Sequence, residues 1–210
     1  STGVVNIGLY NTGADTYFNG YISNLRFTKG TAVYTSAFVP PTAPLTAITN
    51  TSLLLSMTGA QIIDNAEQND LQTIGNAQIS TSVKKYGTGS LAFDGNGDAL
   101  YNYYTQSIPM GSANFTIEAW VNPTSIGSNN PIVESSILNQ ATNSDVQYKL
   151  YLNVSGIPFF VVCSSTTATT ISGSSAISTG TWTHIAAVRT STNLTLYVNG
   201  TSVGTTSYSS

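Results

Sequence analysis

The chain contains few charged residues. Asp, Glu, Lys and Arg make up 7% of its 210 residues, whereas about 25% is usual for a soluble domain. Its six lysines and arginines argue against nucleic-acid binding, which needs clustered cations to displace counterions. The surface must therefore be solvated by Ser, Thr, Asn, Gly and Tyr. This composition is typical of extracellular fibres, adhesins and virion proteins.

Cysteine and long hydrophobic runs are also scarce. The single cysteine, Cys163, cannot form an internal disulfide, which excludes a small domain held together by disulfides. The longest apolar run, residues 157–163, has the length of a strand and falls far short of the roughly 20 residues of a spanning helix. No basic amphipathic stretch indicates binding to a membrane surface. We therefore expect no membrane insertion.

The sequence instead contains many short alternating segments, bounded by Gly, Asn, Ser and Pro, and almost no helical periodicity. In "NFTIEAWVN" the residues Phe115, Ile117 and Val121 share one face. In "NLTLYVNGTSVGTT" the pair Asn199-Gly200 supplies the positive φ angles that a type I′ hairpin turn requires. Many short strands at this spacing predict an all-β antiparallel sandwich or barrel.

One boundary interrupts this pattern. Residues 38–50, "FVPPTAPLTAITN", carry three of the seven prolines and cannot form a central strand. Ahead of them lies a short strand pair, at about residues 4–28. Fewer than fifty residues cannot bury a core by themselves. The leading strands must therefore complete a fold whose other strands lie elsewhere.

Five segments carry a family resemblance. They are "SLAFDGNGDAL", "FTIEAWVNP", "TWTHIAAVR", "LTLYVNGTSVGTT" and "FNGYISNLRFTKGTAVYT". Together they resemble the laminin-G-like group of the concanavalin A-like lectin/glucanase superfamily. The resemblance implies a jelly-roll β-sandwich, an architecture that serves lectins, adhesion modules and spacers alike.

The order of these segments differs from the family's order. The "GYISNLR" strand comes last in the family but near the start of this chain. The resemblance therefore implies a circularly permuted fold, or one completed by a neighbouring subunit. Residues 1–45 would be the C-terminal strands of the sandwich, residues 46–52 a linker, and residues 53–210 the N-terminal and central strands.

Two arrangements of the leading strands satisfy this order. They could fold back onto their own chain, or they could complete the sandwich of a neighbouring copy. Soluble sandwiches protect exposed strand edges with Lys, other charges or Pro, and these strands contain almost none. This lack of edge protection favours donation to a neighbour or a tandem array.

The acidic residues do not form the pattern of a glycosidase. Retaining cleavage needs two carboxyl groups about 5 Å apart, commonly at alternate positions of one strand. Glu118 has no acid at position 116 or 120, and Glu134 has no partner motif. The only histidine, His184, has no nucleophile and acid arranged around it, and we expect it to be a packing or hydrogen-bonding residue. The sequence therefore predicts that the protein is not an enzyme.

Calcium is the candidate cofactor. "DGNGD", residues 94–98, offers Asp94 and Asp98 at alternate positions, but Ala99 replaces the glycine of an EF-hand loop. The alternative is a plain hairpin turn. The resemblance favours calcium, because many such domains hold one ion at the rim of the sandwich, and it makes Asp64 a further candidate. The candidate metal ligands are thus Asp64, Asp94 and Asp98.

Carbohydrate is the candidate ligand. In "ALYNYYTQ" the alternation sets Tyr101 and Tyr103 on one face of a strand and Tyr104 on the other. Twelve tyrosines against six lysines and arginines are typical of a lectin or an interaction surface. The alternative is that tyrosines cover an uncharged sheet, with their hydroxyls in water.

Two functions remain. The first is a non-catalytic structural or adhesive repeat unit of an extracellular or virion-associated fibre, whose partners are copies of itself. The second is a discrete carbohydrate-binding module that uses its tyrosines, and calcium, to bind cell-surface glycans.

Overall fold

The computed structural model describes residues 4–10, 15–59, 61–66, 69–102, 113–136, 146–164 and 167–208. These residues form strands and no helix, so the prediction of an all-β chain is confirmed. The strands are β1 Val4–Ile7, β2 Leu9–Tyr10, β3 Thr16–Tyr17, β4 Asn19–Lys29, β5 Thr51–Leu55, β6 Gln72–Ile74, β7 Gln78–Ser80, β8 Ser90–Asp94, β9 Ala99–Asn102, β10 Phe115–Pro123, β11 Asn130–Ser136, β12 Val146–Leu152, β13 Pro158–Ser164, β14 Thr167–Ser172, β15 Thr183–Arg189, β16 Asn193–Val198 and β17 Thr201–Ser207.

Two antiparallel sheets build a sandwich. The seven-stranded sheet has the order β14-β13-β12-β11-β1-β9-β6. The eight-stranded sheet has the order β17-β16-β15-β10-β4-β8-β7, and β5 pairs with β4 beside this path. β2 and β3 form a separate ribbon. The described part of the chain contains no helix long and apolar enough to cross a membrane.

The core lies between the two sheets and follows the alternation of the strands. On β10, the side chains of Phe115, Ile117 and Val121 belong to the core cluster, as the sequence predicts. The hairpin of β16 and β17 is also confirmed, because Asn199 and Gly200 have φ angles of 49° and 79°. Successive residues of a strand point to opposite faces, so the residues between these core positions form the outer faces of the sandwich.

The leading strands lie in the interior of both sheets. β1 lies between β9 and β11. β4 pairs with β10 along one edge and with β8 and then β5 along the other. The single chain thus supplies partners for the strands of residues 1–45. β5 begins at Thr51, within the segment 46–52 that the sequence assigns to a linker.

The segment after β4 lies on the outer face of the eight-stranded sheet. We call residues 30–50 the strap. No strand is present in it, as its prolines predict. Tyr34 and Phe38 stack with ring centroids 3.6 Å apart, and they pack on Ala186, Val188 and Tyr197. The Phe38 amide donates to the Gly200 carbonyl over 2.9 Å, so the strap is fastened to the β16–β17 turn.

Candidate functional site

An open pocket lies on the outer face of the eight-stranded sheet, beside the turn between β8 and β9. Gln78, Ala92 and Tyr21 stand side by side on β7, β8 and β4. Ala92 is a small residue between two long side chains, which leaves a depression. The pocket has a volume of about 270 Å³. We call it the corner pocket, and its lining residues are Asn19, Tyr21, Asn76, Gln78, Ala92, Phe93, Asp94, Asp98 and Thr124.

The structure brings Asp94 and Asp98 together at this pocket. Asp98 is buried, and its two carboxylate oxygens accept hydrogen bonds from the backbone amides of Asn76 (2.8 Å) and Asp94 (2.9 Å). The Asp94 carboxylate accepts from the Asn96 amide (2.7 Å) and from Asn76 Nδ2 (3.2 Å). All four oxygens thus stabilise the turn and its contact with the loop after β6.

The third candidate calcium ligand, Asp64, lies elsewhere. Its Oδ1 accepts from the backbone amides of Leu54 (2.8 Å) and Ala66 (2.9 Å). Its Oδ2 accepts from Asn69 Nδ2 over 2.6 Å, and Asn69 in turn accepts from Asn102 Nδ2 over 2.8 Å. Asn102 ends β9, whereas Asp98 directly precedes it, and four strand residues span about 13 Å. Asp64 is therefore separate from the Asp94–Asp98 pair.

Metal binding by these acids stays a prediction. Among the residues that the structure describes, no three His, Cys, Asp or Glu side chains form a group that could hold a metal ion. The hydrogen bonds of Asp94 and Asp98 fit the alternative of a hairpin turn, since every carboxylate oxygen already has a protein donor.

Other polar groups of the corner pocket are available to a ligand. Within the described ranges, no hydrogen bond is made by the side-chain amide of Gln78 or by the hydroxyls of Tyr21 and Thr124. The Tyr21 ring adds one aromatic wall. The lining contains two carboxylates and neither Lys, Arg nor His, so its electrostatic potential disfavours an anion. A neutral ligand with several hydroxyl groups suits these partners, because amides and hydroxyls both donate and accept hydrogen bonds.

Most of this pocket could not be predicted from the sequence. Asp94 and Asp98 are predicted site residues, whereas Asn19, Gln78 and Ala92 are not. Tyr21 alternates with Ile22 along β4, but this alternation does not indicate which strands lie beside it. The pocket is created by the pairing of β4, β7 and β8, and no local signal in the sequence specifies such pairing.

Of the candidate tyrosines, Tyr101 is not part of the corner pocket. Tyr101 lies on β9 in the seven-stranded sheet, opposite Asn6 and Gln72. Tyr103 and Tyr104 lie outside the described residues. A ligand-binding role for these three tyrosines stays a prediction, and for Tyr101 it concerns the seven-stranded sheet.

A buried charged network lies beneath the strap. Glu118, on the outer face of β10, is fully buried. Its carboxylate accepts hydrogen bonds from Arg26 Nε (2.9 Å) and the Tyr34 hydroxyl (2.7 Å), and lies 3.1 Å from His184 Nε2. Burial by itself would raise the pKa of Glu118, but the His184 hydrogen bond and the Arg26 charge together hold this pKa below its usual value. The hydrogen-bonding role predicted for His184 is confirmed.

Comparison with known families gives a match that covers the C-terminal part of the chain. A family model of laminin-G type, Laminin_G_3, described as the concanavalin A-like lectin/glucanases superfamily, matches residues 94–210. The matched range is more than half of the chain, and it begins at the turn that carries Asp94 and Asp98. A search of curated proteins and a search of solved structures returned no match.

Proposed function

The chain belongs to the concanavalin A-like lectin/glucanase superfamily, and we propose that it is a non-catalytic adhesive module that binds a neutral sugar ring in the corner pocket. We further propose that it acts outside the cell or on a virion, where its low content of charged residues is typical. The observation that carries the proposal is the pocket itself, with an aromatic wall and hydrogen-bonding groups that have no partner within the described ranges.

The chemistry of the lining fits a sugar. One face of a sugar ring presents C–H groups that stack on an aromatic ring such as that of Tyr21. Its hydroxyls are both donors and acceptors, which suits the Gln78 amide and the Thr124 hydroxyl. A volume of about 270 Å³ lies near the lower limit for small-molecule sites. The pocket therefore favours one sugar ring over a long oligosaccharide.

A binding role without hydrolysis is supported by the state of the carboxylates. Glycoside hydrolysis needs two carboxyl groups that reach the scissile bond. The two acids at the pocket, Asp94 and Asp98, already accept hydrogen bonds with all four oxygens. Glu118 lies under the strap, in hydrogen bonds with Arg26 and Tyr34.

The test of this proposal is glycan binding by the full chain and by two variants. Ala92→Leu, which fills the depression, and Tyr21→Ala, which removes the aromatic wall, are each expected to weaken binding of a neutral glycan at least about tenfold, a loss of roughly 1.4 kcal/mol. Binding is measured on a glycan array and then by calorimetry. Ala92 is partly exposed, so the leucine should leave the melting temperature nearly unchanged.

Tyr101→Ala serves as the matched control on the other sheet. The proposal expects it to bind like the unmodified chain. If Tyr101→Ala abolishes binding while Ala92→Leu does not, the sugar binds on the seven-stranded sheet and the corner pocket is the wrong site. If no neutral glycan binds the unmodified chain, the proposed function is wrong.

The alternative function is a fibre repeat unit that assembles with copies of itself. The observation that favours it is the interior position of β1 and β4. Each sheet takes one of its interior strands from the same short leading segment. A neighbouring copy could supply the same strands. Light scattering behind a sizing column discriminates the two: a monomer of 22.0 kDa indicates closure within the chain, and a ladder of multiples indicates exchange.

A further inference from the structure

Three chemically reactive side chains form a row across the middle of the seven-stranded sheet. Asn6 on β1 is the register partner of Glu134 on β11, and Glu134 is the register partner of Lys149 on β12. Directly opposite residues of an antiparallel pair project on the same side. Their chain neighbours Ile7, Val133 and Leu150 belong to the core cluster. The row therefore lies on the outer face of this sheet, away from the corner pocket.

All three side chains are removed from water. Asn6 and Glu134 have no exposed surface, and Lys149 is 8% exposed. Lysine and glutamate are seldom buried to this extent. The ammonium nitrogen Nζ of Lys149 lies 3.5 Å from the centre of the Tyr10 ring and 4.3 Å from that of Tyr151. An amine, a carboxylate and a primary amide thus lie on three neighbouring strands, all nearly inaccessible to water.

We propose that Lys149 and Asn6 join in an intramolecular isopeptide bond, with Glu134 transferring the proton. The Lys149 Nζ attacks Cγ of the Asn6 amide and forms a new C–N bond. The bond from Cγ to the Asn6 side-chain nitrogen then breaks. Glu134 accepts the proton of the attacking amine and delivers it to the departing nitrogen, which leaves as ammonia. The reaction turns one amine and one primary amide into a secondary amide and ammonia, and needs no oxidant.

The spacing of the strands allows this bond. Neighbouring strands lie about 4.8 Å apart, so the backbones at Asn6 and Lys149 are separated by about 10 Å. The four-carbon stem of lysine covers most of that distance, and the asparagine side chain covers the remainder. Glu134 stands between the two reactants, where a proton must pass from one nitrogen to the other.

Burial also shifts the amine toward its reactive form. Only an unprotonated amine is a nucleophile. Desolvation lowers the pKa of Lys149, although the charge of Glu134 opposes this shift. Burial among aromatic rings keeps out water that would solvate the ammonium ion.

The bond would tie the leading segment to the remainder of the domain. It would fix β1 in the middle of the seven-stranded sheet, between β9 and β11, and close a covalent loop from residue 6 to residue 149. Under tension along the chain, β1 could then not be pulled out of the sheet. This inference is independent of sugar binding, because it concerns the other sheet.

Mass spectrometry of the intact, denatured full-length chain tests the proposal. The expected mass is lower than the mass of the sequence by one ammonia. A proteolytic digest is expected to yield a branched peptide that joins the segments containing Asn6 and Lys149. A mass equal to that of the sequence, with no branched peptide, overturns the proposal.

Three variants separate the bond from other sources of ammonia loss. Lys149→Arg keeps a cation over the tyrosine rings and should retain the full sequence mass. If the ammonia came instead from succinimide formation at another asparagine, this variant would still lose it. Asn6→Asp should lose one water instead of one ammonia. Glu134→Gln should retain the full mass, and loss of ammonia in this variant would show that Glu134 is not the proton carrier.

Discussion

A chain that lacks residues 1–45 is expected to lose its cooperative unfolding transition. The deletion removes β1 and β4, which lie in the interior of the two sheets, and it exposes the core face that they cover. The lost side chains include the buried core residues Val5, Ile7, Ile22, Leu25 and Phe27. Burial of each contributes about 1.5–3 kcal/mol. Their sum is comparable with the whole stability of a domain, about 5–15 kcal/mol.

Circular dichroism on heating measures this effect. The unmodified chain should show one sigmoidal transition, and the truncated chain none. A synthetic peptide of residues 1–45, added to the truncated chain, should restore the transition if the segment can pair from outside. Val39→Ala is the matched control, because Val39 is 83% exposed and such changes usually stay within about 0.5 kcal/mol. A truncated chain that keeps the native transition would contradict the interior position of β1 and β4.

Arg26→Met is expected to lower the free energy of unfolding by about 3–5 kcal/mol, because it leaves the Glu118 carboxylate buried without its cation. Arg26 donates to Glu118 through its guanidinium, and both side chains are nearly inaccessible to water. Arg26 also donates to the Thr46 carbonyl over 3.1 Å, so the strap should loosen as well. Urea unfolding measures the loss.

A second variant distinguishes charge from packing. Adding Glu118→Gln to Arg26→Met removes the uncompensated charge while keeping groups that can bond Tyr34 and His184. We expect the double variant to recover a large part of the loss, a coupling that a double-mutant cycle quantifies. Lys84→Ala, at an exposed position, is the control for loss of a cation. If the stability losses of the single variants Arg26→Met and Glu118→Gln simply add in the double variant, the network contributes through packing alone.

The same network makes stability depend on pH. The folded-state pKa of Glu118 lies below its ordinary value of 4.5, so this carboxylate stabilises the fold at pH values above 4.5. That contribution is lost as the pH falls through the folded-state pKa. The stability difference between the unmodified chain and Glu118→Gln should therefore shrink on acidification below pH 4.5. A difference that stays constant would contradict the assignment.

Local features of the fold could be predicted from the sequence. The alternation of β10 and the Asn199-Gly200 turn each depend on neighbouring residues, and the structure confirms both. The prolines of residues 38–50 correctly excluded a strand. The alternation also places Glu118 on the face opposite Ile117, but it does not show that Arg26 and Tyr34 meet it there.

The parts that could not be predicted all depend on strand pairing. Gln78, Ala92 and Tyr21 form one row because β7, β8 and β4 pair in that order. Asn6 is more than one hundred residues from Glu134 and Lys149, and a shift of one residue in register would place them on opposite faces. Register over such separations is set by the packing of the whole sandwich rather than by local residues.

The most direct test of sugar binding in the corner pocket is a titration followed by nuclear magnetic resonance. The isotopically labelled full chain is titrated with the neutral glycan that binds best on the array. The largest shift changes are expected at the backbone and side-chain amides of Asn19, Asn76 and Gln78, and at the amides of Tyr21 and Thr124. Shift changes confined to the seven-stranded sheet around Tyr101, or no changes with any neutral glycan, would contradict the account.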